Sequence, residues 1–158
     1  MSAKKNTWSS IKYLSTTILF SFIISACTPK SPGLHIEVDT IFANIHANTF
    51  HASGPAVAKG IFCPTGEVDE TEGIGQAPPE GTPTYEIHTH KVFLCNDESG
   101  IIEMELNLVV YRDQNVTEGT WVIIRGEGAY SNLHGSGSII GQNGDSTHIY
   151  DTYDGFVQ

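Results

Sequence analysis

The fold class is indicated most clearly by the stretch Ile101–Tyr111, which reads IIEMELNLVVY. Every even-numbered residue from 102 to 110 is apolar, and most of the residues between them are polar or charged. A two-residue period of this kind is typical of an antiparallel strand that buries one face and exposes the other. We therefore predict a half-buried β-strand over these residues.

Shorter alternating segments lie on both sides of this strand, and no window from His35 onward keeps a helical period. The other predicted strands cover residues 36–42, 56–62, 85–93, 120–125, 136–140, 146–150 and 155–157. About eight short strands without helices predict an all-β domain, either a closed barrel or a sandwich. Residues 64–83 are rich in glycine and proline and almost lack large apolar residues, so we expect a long surface loop there.

Residues 1–26 resemble a bacterial lipoprotein signal peptide. They contain three lysines and no acidic residue, continue with a short apolar run, and end in Ile24-Ser25-Ala26 before Cys27. The apolar run is interrupted by hydroxyl residues and is shorter than the roughly 20 residues of a stable transmembrane helix. The resemblance implies that Cys27 receives a diacylglycerol and an N-acyl chain such as palmitate.

Such a modification divides the chain into the signal peptide 1–26, an acylated cysteine with a tether at 27–33, and one domain at 34–158. More than one acyl chain gives stable membrane anchoring. We therefore expect a protein of the cell envelope that is attached to a membrane, the outer membrane in an organism that has one.

The mature chain is strongly acidic. Three of the eight Lys and Arg residues, and none of the 18 Asp and Glu residues, lie before residue 27, so residues 27–158 carry a formal charge of −13. A surface of this sign repels phosphate backbones and anionic headgroups. We therefore expect no nucleic-acid partner, and about 130 residues are enough for one domain with one core.

The cysteines form a pair once Cys27 is assigned to the lipid. Cys63 and Cys95 then remain in an oxidising compartment, where we expect them to form a disulfide. The closed loop of about 33 residues would contribute roughly 4 kcal/mol on the chain-entropy relation. Two buried free thiols, or one reactive thiol, are the alternative.

A glycine-rich segment at residues 119–137 is the most distinctive motif. It has the order Gly-x-Trp, then Gly-x-Gly-x-Tyr-x-x-Leu-x-Gly-x-Gly, and does not match the dinucleotide-binding fingerprint. Glycines in strands permit sharp bends and close backbone approach. The motif residues are Trp121, Gly126, Gly128, Tyr130, Leu133, Gly135 and Gly137.

This order resembles the signature of small bacterial proteins in the allene oxide cyclase barrel-like group, which are related in fold to plant dirigent proteins. The resemblance covers mainly residues 119–137 and implies an eight-stranded antiparallel closed β-barrel whose interior holds a small apolar molecule. Members usually have Thr between the first two close glycines, whereas this chain has Glu127. No catalytic position of the family can be matched, so the resemblance implies the fold and not the activity.

All seven histidines lie after Cys27, and two of them suggest a metal site. His88 and His90 are two residues apart on a predicted strand, so both project from the same face, and imidazole is a ligand of zinc and copper. The pair is similar to the His-x-His of cupin barrels, but the further Glu and His of that family do not occur at the matching spacing. Two solvent-facing histidines are the alternative interpretation. The acidic residues of segment 67–72 suggest a calcium site, but a solvated loop is favoured because the EF-hand spacing is absent.

Three functions are consistent with these observations, and no residue is assigned a catalytic role. The first is a binding module that holds a small hydrophobic ligand in the barrel, or presents its loops to an envelope partner. The second is an isomerase or cyclase that uses an inward acid, with Glu103, Glu105 and Glu127 as the candidates; alternation places the first two opposite the apolar face. The third is metal capture by His88 and His90. No resident cofactor is expected.

Overall fold

The computed structural model describes residues 33–43, 48–74, 78–79, 81–144 and 148–158. The signal peptide 1–26, the acylated Cys27 and the tether up to residue 32 lie outside the described residues and stay predictions. Within the described ranges, no helix combines the length and the apolar character needed to cross a membrane.

In the described part of the chain, eight antiparallel strands form a closed barrel in up-and-down order. Each strand pairs with its neighbours along the chain, and the last strand pairs with the first, so no sheet edge is left open. This confirms the predicted eight-stranded antiparallel closed β-barrel. The elements are β1 Leu34–Ala43, β2 Thr49–Ser53, α1 Pro55–Ala58, β3 Thr65–Ile74, β4 Thr84–Cys95, β5 Gly100–Tyr111, a 3-10 turn Arg112–Gln114, β6 Val116–Gly128, β7 Gly135–Asn143 and β8 His148–Val157.

Strand β5 has the two faces that its sequence predicts. Ile102, Met104 and Leu106 are at most 1% exposed and belong to the core, whereas Glu103 and Glu105 lie on the outer wall. The pairing with β4 extends over eleven residue pairs, and that with β6 over twelve. The alternation of β5 therefore defines which faces of its two neighbours point inward.

The predicted strand at 56–62 is wrong. Pro55 begins a short helix there, because its fixed φ suits the first helical position, and the buried Ala56 contacts the barrel core. Gly60 has a φ of 69°, which turns the chain after the helix and leads to the buried Phe62. Ala56 and Phe62 are buried and Val57 and Ile61 pack partly buried against the core, so the segment covers one end of the barrel and is not a strand of its wall.

The predicted long loop at 64–83 is wrong in its first half, because β3 occupies Thr65–Ile74. Val68 is the buried apolar side chain of this strand, and Gly66 leaves room for the ring of Phe50. Pairing with β4 runs along nearly the whole strand and pairing with β2 covers residues 65–67, so backbone hydrogen bonds hold a strand that has few apolar side chains. The short strand β2 was also not predicted.

Residues 148–150 of the strand predicted at 146–150, and the strand predicted at 155–157, belong to one strand, β8, and residues 146–147 lie outside the described residues. Gly155 lies inside this strand with its hydrogen atoms facing the ring of Trp121, so it does not mark a turn. The indole of Trp121 is 2% exposed, and its Nε1 donates a hydrogen bond to the backbone oxygen of Ser138 at 3.0 Å. Gly137 faces the backbone of β8 so closely that a Cβ atom would clash.

The remaining motif residues form the turn between β6 and β7. Gly128 has a φ of 63°, and a Cβ on Gly126 would overlap the carbonyl group of Tyr130. The Tyr130 hydroxyl lies 2.8 Å from the Ser99 hydroxyl of the β4–β5 turn, and Leu133 is buried. Gly135 packs against core side chains at the same end. The motif is therefore a scaffold element that holds two turns together.

The barrel has two different ends. At one end lie α1, the β6–β7 turn and the disulfide between Cys63 and Cys95, whose Cα atoms are 6.0 Å apart, as predicted. At the other end β1, β3, β5 and β7 finish, and we call this end the mouth. Inward-facing residues near the mouth on β4 to β6 are only half-buried: Tyr85, Ile87, Val110 and Thr117.

Candidate functional site

A cluster of polar side chains lies inside the barrel near the mouth, in contrast to the apolar layers below it. Among the buried residues described, the polar or charged ones are Thr40, Thr89, Lys91 and Asp151, between 1% and 6% exposed. Each occupies an inward position of its strand, because it has the same parity as a neighbouring core residue. We call these residues, together with Glu70 and Tyr153, the mouth cluster.

The mouth cluster contains a buried ion pair across the barrel. Lys91 of β4 donates from Nζ to Oδ2 of Asp151 on β8 at 2.8 Å, and the two side chains are 5% and 7% exposed. The ammonium also lies 6.0 Å from the ring centroid of Tyr153. Charged groups at this depth are found in proteins when they are paired, and this pair satisfies that condition.

A second polar contact connects β3 to β4. The Thr89 hydroxyl donates to Oε1 of Glu70 at 2.9 Å. Glu70 is opposite Lys91 in the strand register, just before an irregularity that lies between Glu70 and Glu72. Glu70 has the same parity as the buried Val68, so it occupies an inward position of the strand. Glu70 is exposed to solvent, so it forms the outer part of the mouth cluster.

Three buried polar atoms in the described residues have no hydrogen-bond partner: Oγ1 of Thr40, Oδ1 of Asn48 and Oη of Tyr153. Thr40 is opposite Asp151 in the strand register, Tyr153 is two residues after Asp151 on β8, and Asn48 directly precedes β2. Buried polar groups in folded proteins nearly always have partners, so each exception requires an explanation. Two of the three exceptions, the hydroxyls of Thr40 and Tyr153, lie beside the ion pair.

The environment of Tyr153 raises the pKa of its phenol well above the usual value of 10.0. Burial is the largest cause, and the negative charges of Asp151 and Glu70 add to it. The Thr40 hydroxyl opposes the shift, although it does not reach hydrogen-bond geometry with the phenol in the structure. Tyr153 therefore remains a neutral hydroxyl that can donate a hydrogen bond over the physiological pH range.

His88 and His90 project from the same face of β4, as predicted, and this face is the outer wall of the barrel. Their ring centroids are 5.8 Å apart. The structure adds Glu105 of β5, which offers a carboxylate oxygen within 4.8 Å of a ligand atom of each histidine. The spacing along the sequence did not indicate this residue, because it is a neighbour only across the strand pair.

The candidate acids for an isomerase do not lie in the barrel interior. Glu103 and Glu105 are on the outer wall of β5, and Glu127 is exposed and paired with Arg125 at the end of β6. The inward carboxylates belong instead to Glu70 and Asp151. No sequence signal identified Asp151, because its partner Lys91 is 60 residues away along the chain.

The acidic residues expected in a loop at 67–72 belong to β3. Glu67 and Asp69 lie on its exposed face, whereas Glu70 belongs to the mouth cluster. Outward- and inward-facing carboxylates of one strand do not converge on one cation, so the structure gives no support to a calcium site here. Two of the other histidines, His51 and His134, are exposed.

No family model, curated protein or solved structure matches this chain. The resemblance to the allene oxide cyclase barrel-like group therefore stays a prediction from the motif at 119–137, alongside the confirmed barrel fold.

Proposed function

We propose that this protein is a lipid-anchored envelope binding module, and that its barrel mouth binds a small molecule with an apolar body and a polar head. The observation that carries the proposal is the concentration of unpartnered buried hydroxyls around the Lys91–Asp151 pair. Binding sites for small molecules are usually apolar surfaces with a few convergent polar groups. The mouth cluster has this composition.

The apolar body of the ligand would contact the half-buried inner wall. Ile87 and Val110 face inward near the mouth and are only partly covered, and Leu108, two residues before Val110 on β5, is directly opposite Ile87. Below this level the barrel is filled by large side chains such as Trp121 and Phe93. The proposed site is therefore a shallow one at the mouth, above a packed core.

The charges of the mouth cluster determine which kind of ligand head group is favoured. Glu70 and Asp151 carry two formal negative charges against the single positive charge of Lys91, which is already paired. An anionic head would meet an uncompensated carboxylate, and desolvated like charges at short distance repel each other strongly. A hydroxyl head is favoured because it can donate to Glu70 and accept from Tyr153 or Thr40, and an ammonium head is favoured because it can donate to Glu70 and to the hydroxyl oxygen of Tyr153 or Thr40.

Membrane attachment forms the second part of the proposal and rests on the lipobox-like end of residues 24–27. A Cys27→Ala variant should remain an unacylated precursor and lose its stable association with membranes. The measurement is radiolabelled palmitate incorporation together with membrane flotation. Normal acylation or flotation of this variant would contradict the assignment.

The ligand proposal can be tested by native mass spectrometry of the full-length protein in nanodiscs, with three ligands of equal chain length. Hexylamine and hexanol should give one-to-one adducts at lower concentration than hexanoate, because only the last carries a negative head. Tyr153→Phe and Thr40→Val should weaken the preferred adduct by about tenfold, the value of one hydrogen bond of about 1.4 kcal/mol. Tyr150→Phe, which changes an exposed tyrosine of the same strand, is the matched control and should bind as the unmodified protein does.

Either of two results would overturn the ligand proposal. One is equal adduct formation by Tyr153→Phe and the unmodified protein. The other is a preference for hexanoate, which would show that the charge of the mouth cluster does not act on the head group.

A further inference from the structure

The outer wall of strands β4 and β5 brings five polar side chains together, away from the mouth cluster. In the strand register His90 is directly opposite Glu105, and His88 is opposite Asn107. Residues opposite each other on one face of an antiparallel pair are close enough for their side chains to interact. Glu103, two residues before Glu105, faces the same side.

We infer that His88, His90 and Glu105 form a binding site for a divalent transition-metal ion of the zinc class. Oε2 of Glu105 lies 3.9 Å from Nε2 of His88 and 3.7 Å from Nε2 of His90. One ligand atom of each of the three residues lies within 4.8 Å of the other two. Two imidazoles and one carboxylate are a ligand set that zinc adopts when it keeps a further position for water.

The distances are close to those of a metal-bound site. Ligands about 2.0–2.1 Å from a tetrahedral zinc ion stand roughly 3.3–3.4 Å apart. The two Nε2–Oε2 separations exceed this by about half an ångström or less, and all three ligand atoms lie within 4.8 Å of one another, so side-chain rotations have to bring them closer. The pairing of β4 with β5 keeps the three residues next to one another.

An oxygen atom lies beside the other nitrogen of each ring. Nδ1 of His88 donates to Oδ1 of Asn107 at 2.7 Å, which leaves Nε2 of this ring toward Glu105. Nδ1 of His90 lies 3.7 Å from Oε1 of Glu103, which leaves Nε2 of that ring toward Glu105 as well. Metal-ligating histidines typically have an oxygen acceptor of this kind on the other ring nitrogen.

The site is accessible from solvent. The side chains of His88, His90 and Glu105 are between 21% and 38% exposed. An open groove of about 490 Å³ runs beside His88 and Asn107, with room for water ligands on the metal. A cation here would also reduce the repulsion between Glu103 and Glu105, which project from the same face of one strand.

This site is independent of the proposed ligand site, because the outer and inner faces of β4 alternate. His88 and His90 point outward, whereas Thr89 and Lys91, next to them, point into the mouth cluster. Loss of metal binding should therefore leave hexylamine binding unchanged. Failure of one proposal can be distinguished from failure of the other.

The test is zinc binding to the full-length protein in nanodiscs after removal of metals with a chelator. Calorimetric titration should give one zinc ion per chain. A His88→Ala/His90→Ala variant should lose this stoichiometric binding, and Glu105→Gln should weaken it by at least tenfold. Asn107→Ala should weaken it by 10- to 100-fold, the usual effect of removing an orienting partner.

The matched control is a His51→Ala/His134→Ala variant, which removes two exposed histidines elsewhere on the domain and should keep one zinc ion per chain. Cobalt should replace zinc and give the intense visible absorption of a low-coordinate site, which a loosely bound surface ion does not produce. All variants should melt at the temperature of the unmodified protein in the presence of chelator. Zinc binding that survives in the His88→Ala/His90→Ala variant, or that the control variant also loses, would overturn the inference.

Discussion

Replacing Lys91 by Met should destabilise the barrel strongly, because it leaves Asp151 buried without its cation. Two unit charges 2.8 Å apart attract each other by about 6 kcal/mol at an effective dielectric constant of about 20. Desolvation offsets much of this attraction when the pair forms. Removal of one partner from such a buried pair nevertheless costs about 3–5 kcal/mol.

A second substitution tests whether the cost comes from the unpaired charge. In Lys91→Met/Asp151→Asn the buried carboxylate becomes a neutral amide, whose unmade hydrogen bonds cost about 1–3 kcal/mol. The double variant should therefore be more stable than Lys91→Met alone, although two core residues have changed. The assay is urea denaturation followed by tryptophan fluorescence, since the buried Trp121 lies in the barrel core.

Two results would refute this reasoning. A loss of less than about 1 kcal/mol in Lys91→Met would mean that the pair behaves like an exposed surface ion pair. A double variant less stable than Lys91→Met would mean that packing, and not the unpaired charge, explains the loss.

Three further predictions concern the core and the motif. Tyr153→Phe should leave the free energy of unfolding at pH 7 unchanged or raise it by up to about 1 kcal/mol, because the hydroxyl has no partner. Since the pKa of Tyr153 is raised in the folded state, the unfolded protein loses the phenol proton first, and the free energy of unfolding falls as the pH rises above about 10. The Phe variant lacks this titration, so it should resist alkaline unfolding better in a urea series from pH 8 to 12. A Cys63→Ser/Cys95→Ser variant should lose about 4 kcal/mol in denaturant titrations, and equal stability of the two proteins would exclude a stabilising disulfide. Gly137→Ala should lose about 1–3 kcal/mol, because its Cβ would clash with the backbone of β8, whereas Ser138→Ala on the exposed face should melt unchanged.

Much of the barrel wall could be predicted from local pattern. In β5 the side chains alternate between core and solvent, so the sequence period and the structural period coincide. The fold was correctly predicted because the resemblance of residues 119–137 pointed to a closed barrel. The structure shows why glycines of this motif are required, since Gly126 and Gly137 lie where neighbouring backbone leaves no space for a Cβ.

The errors arise where pairing or burial, and not side-chain pattern, determines the structure. β3 forms from a polar segment because its neighbours satisfy its backbone, which no local pattern records. The apolar residues of segment 56–62 suggested a strand, but the proline at position 55 starts a helix that closes one end of the barrel. Predictions of this kind require knowledge of which strands are adjacent.

The candidate sites could be predicted only in part for the same reason. Parity along β4 correctly placed His88 and His90 on one face, whereas Glu105 joins them only through the register with β5. Asp151 gave no signal, because it meets its lysine across the barrel. Sequence reasoning therefore identified residues on one strand and missed those that another strand supplies.

The central claim is that the mouth cluster is a ligand site, and methyl NMR of threonine-labelled protein in nanodiscs tests it most directly. Titration with hexylamine should shift the methyl signals of Thr40 and Thr89, which belong to the mouth cluster. The signals of Thr120 and Thr152, which lie on the outer wall, should stay in place. Shifts confined to the outer threonines, or no shift at concentrations that give an adduct, would contradict the account.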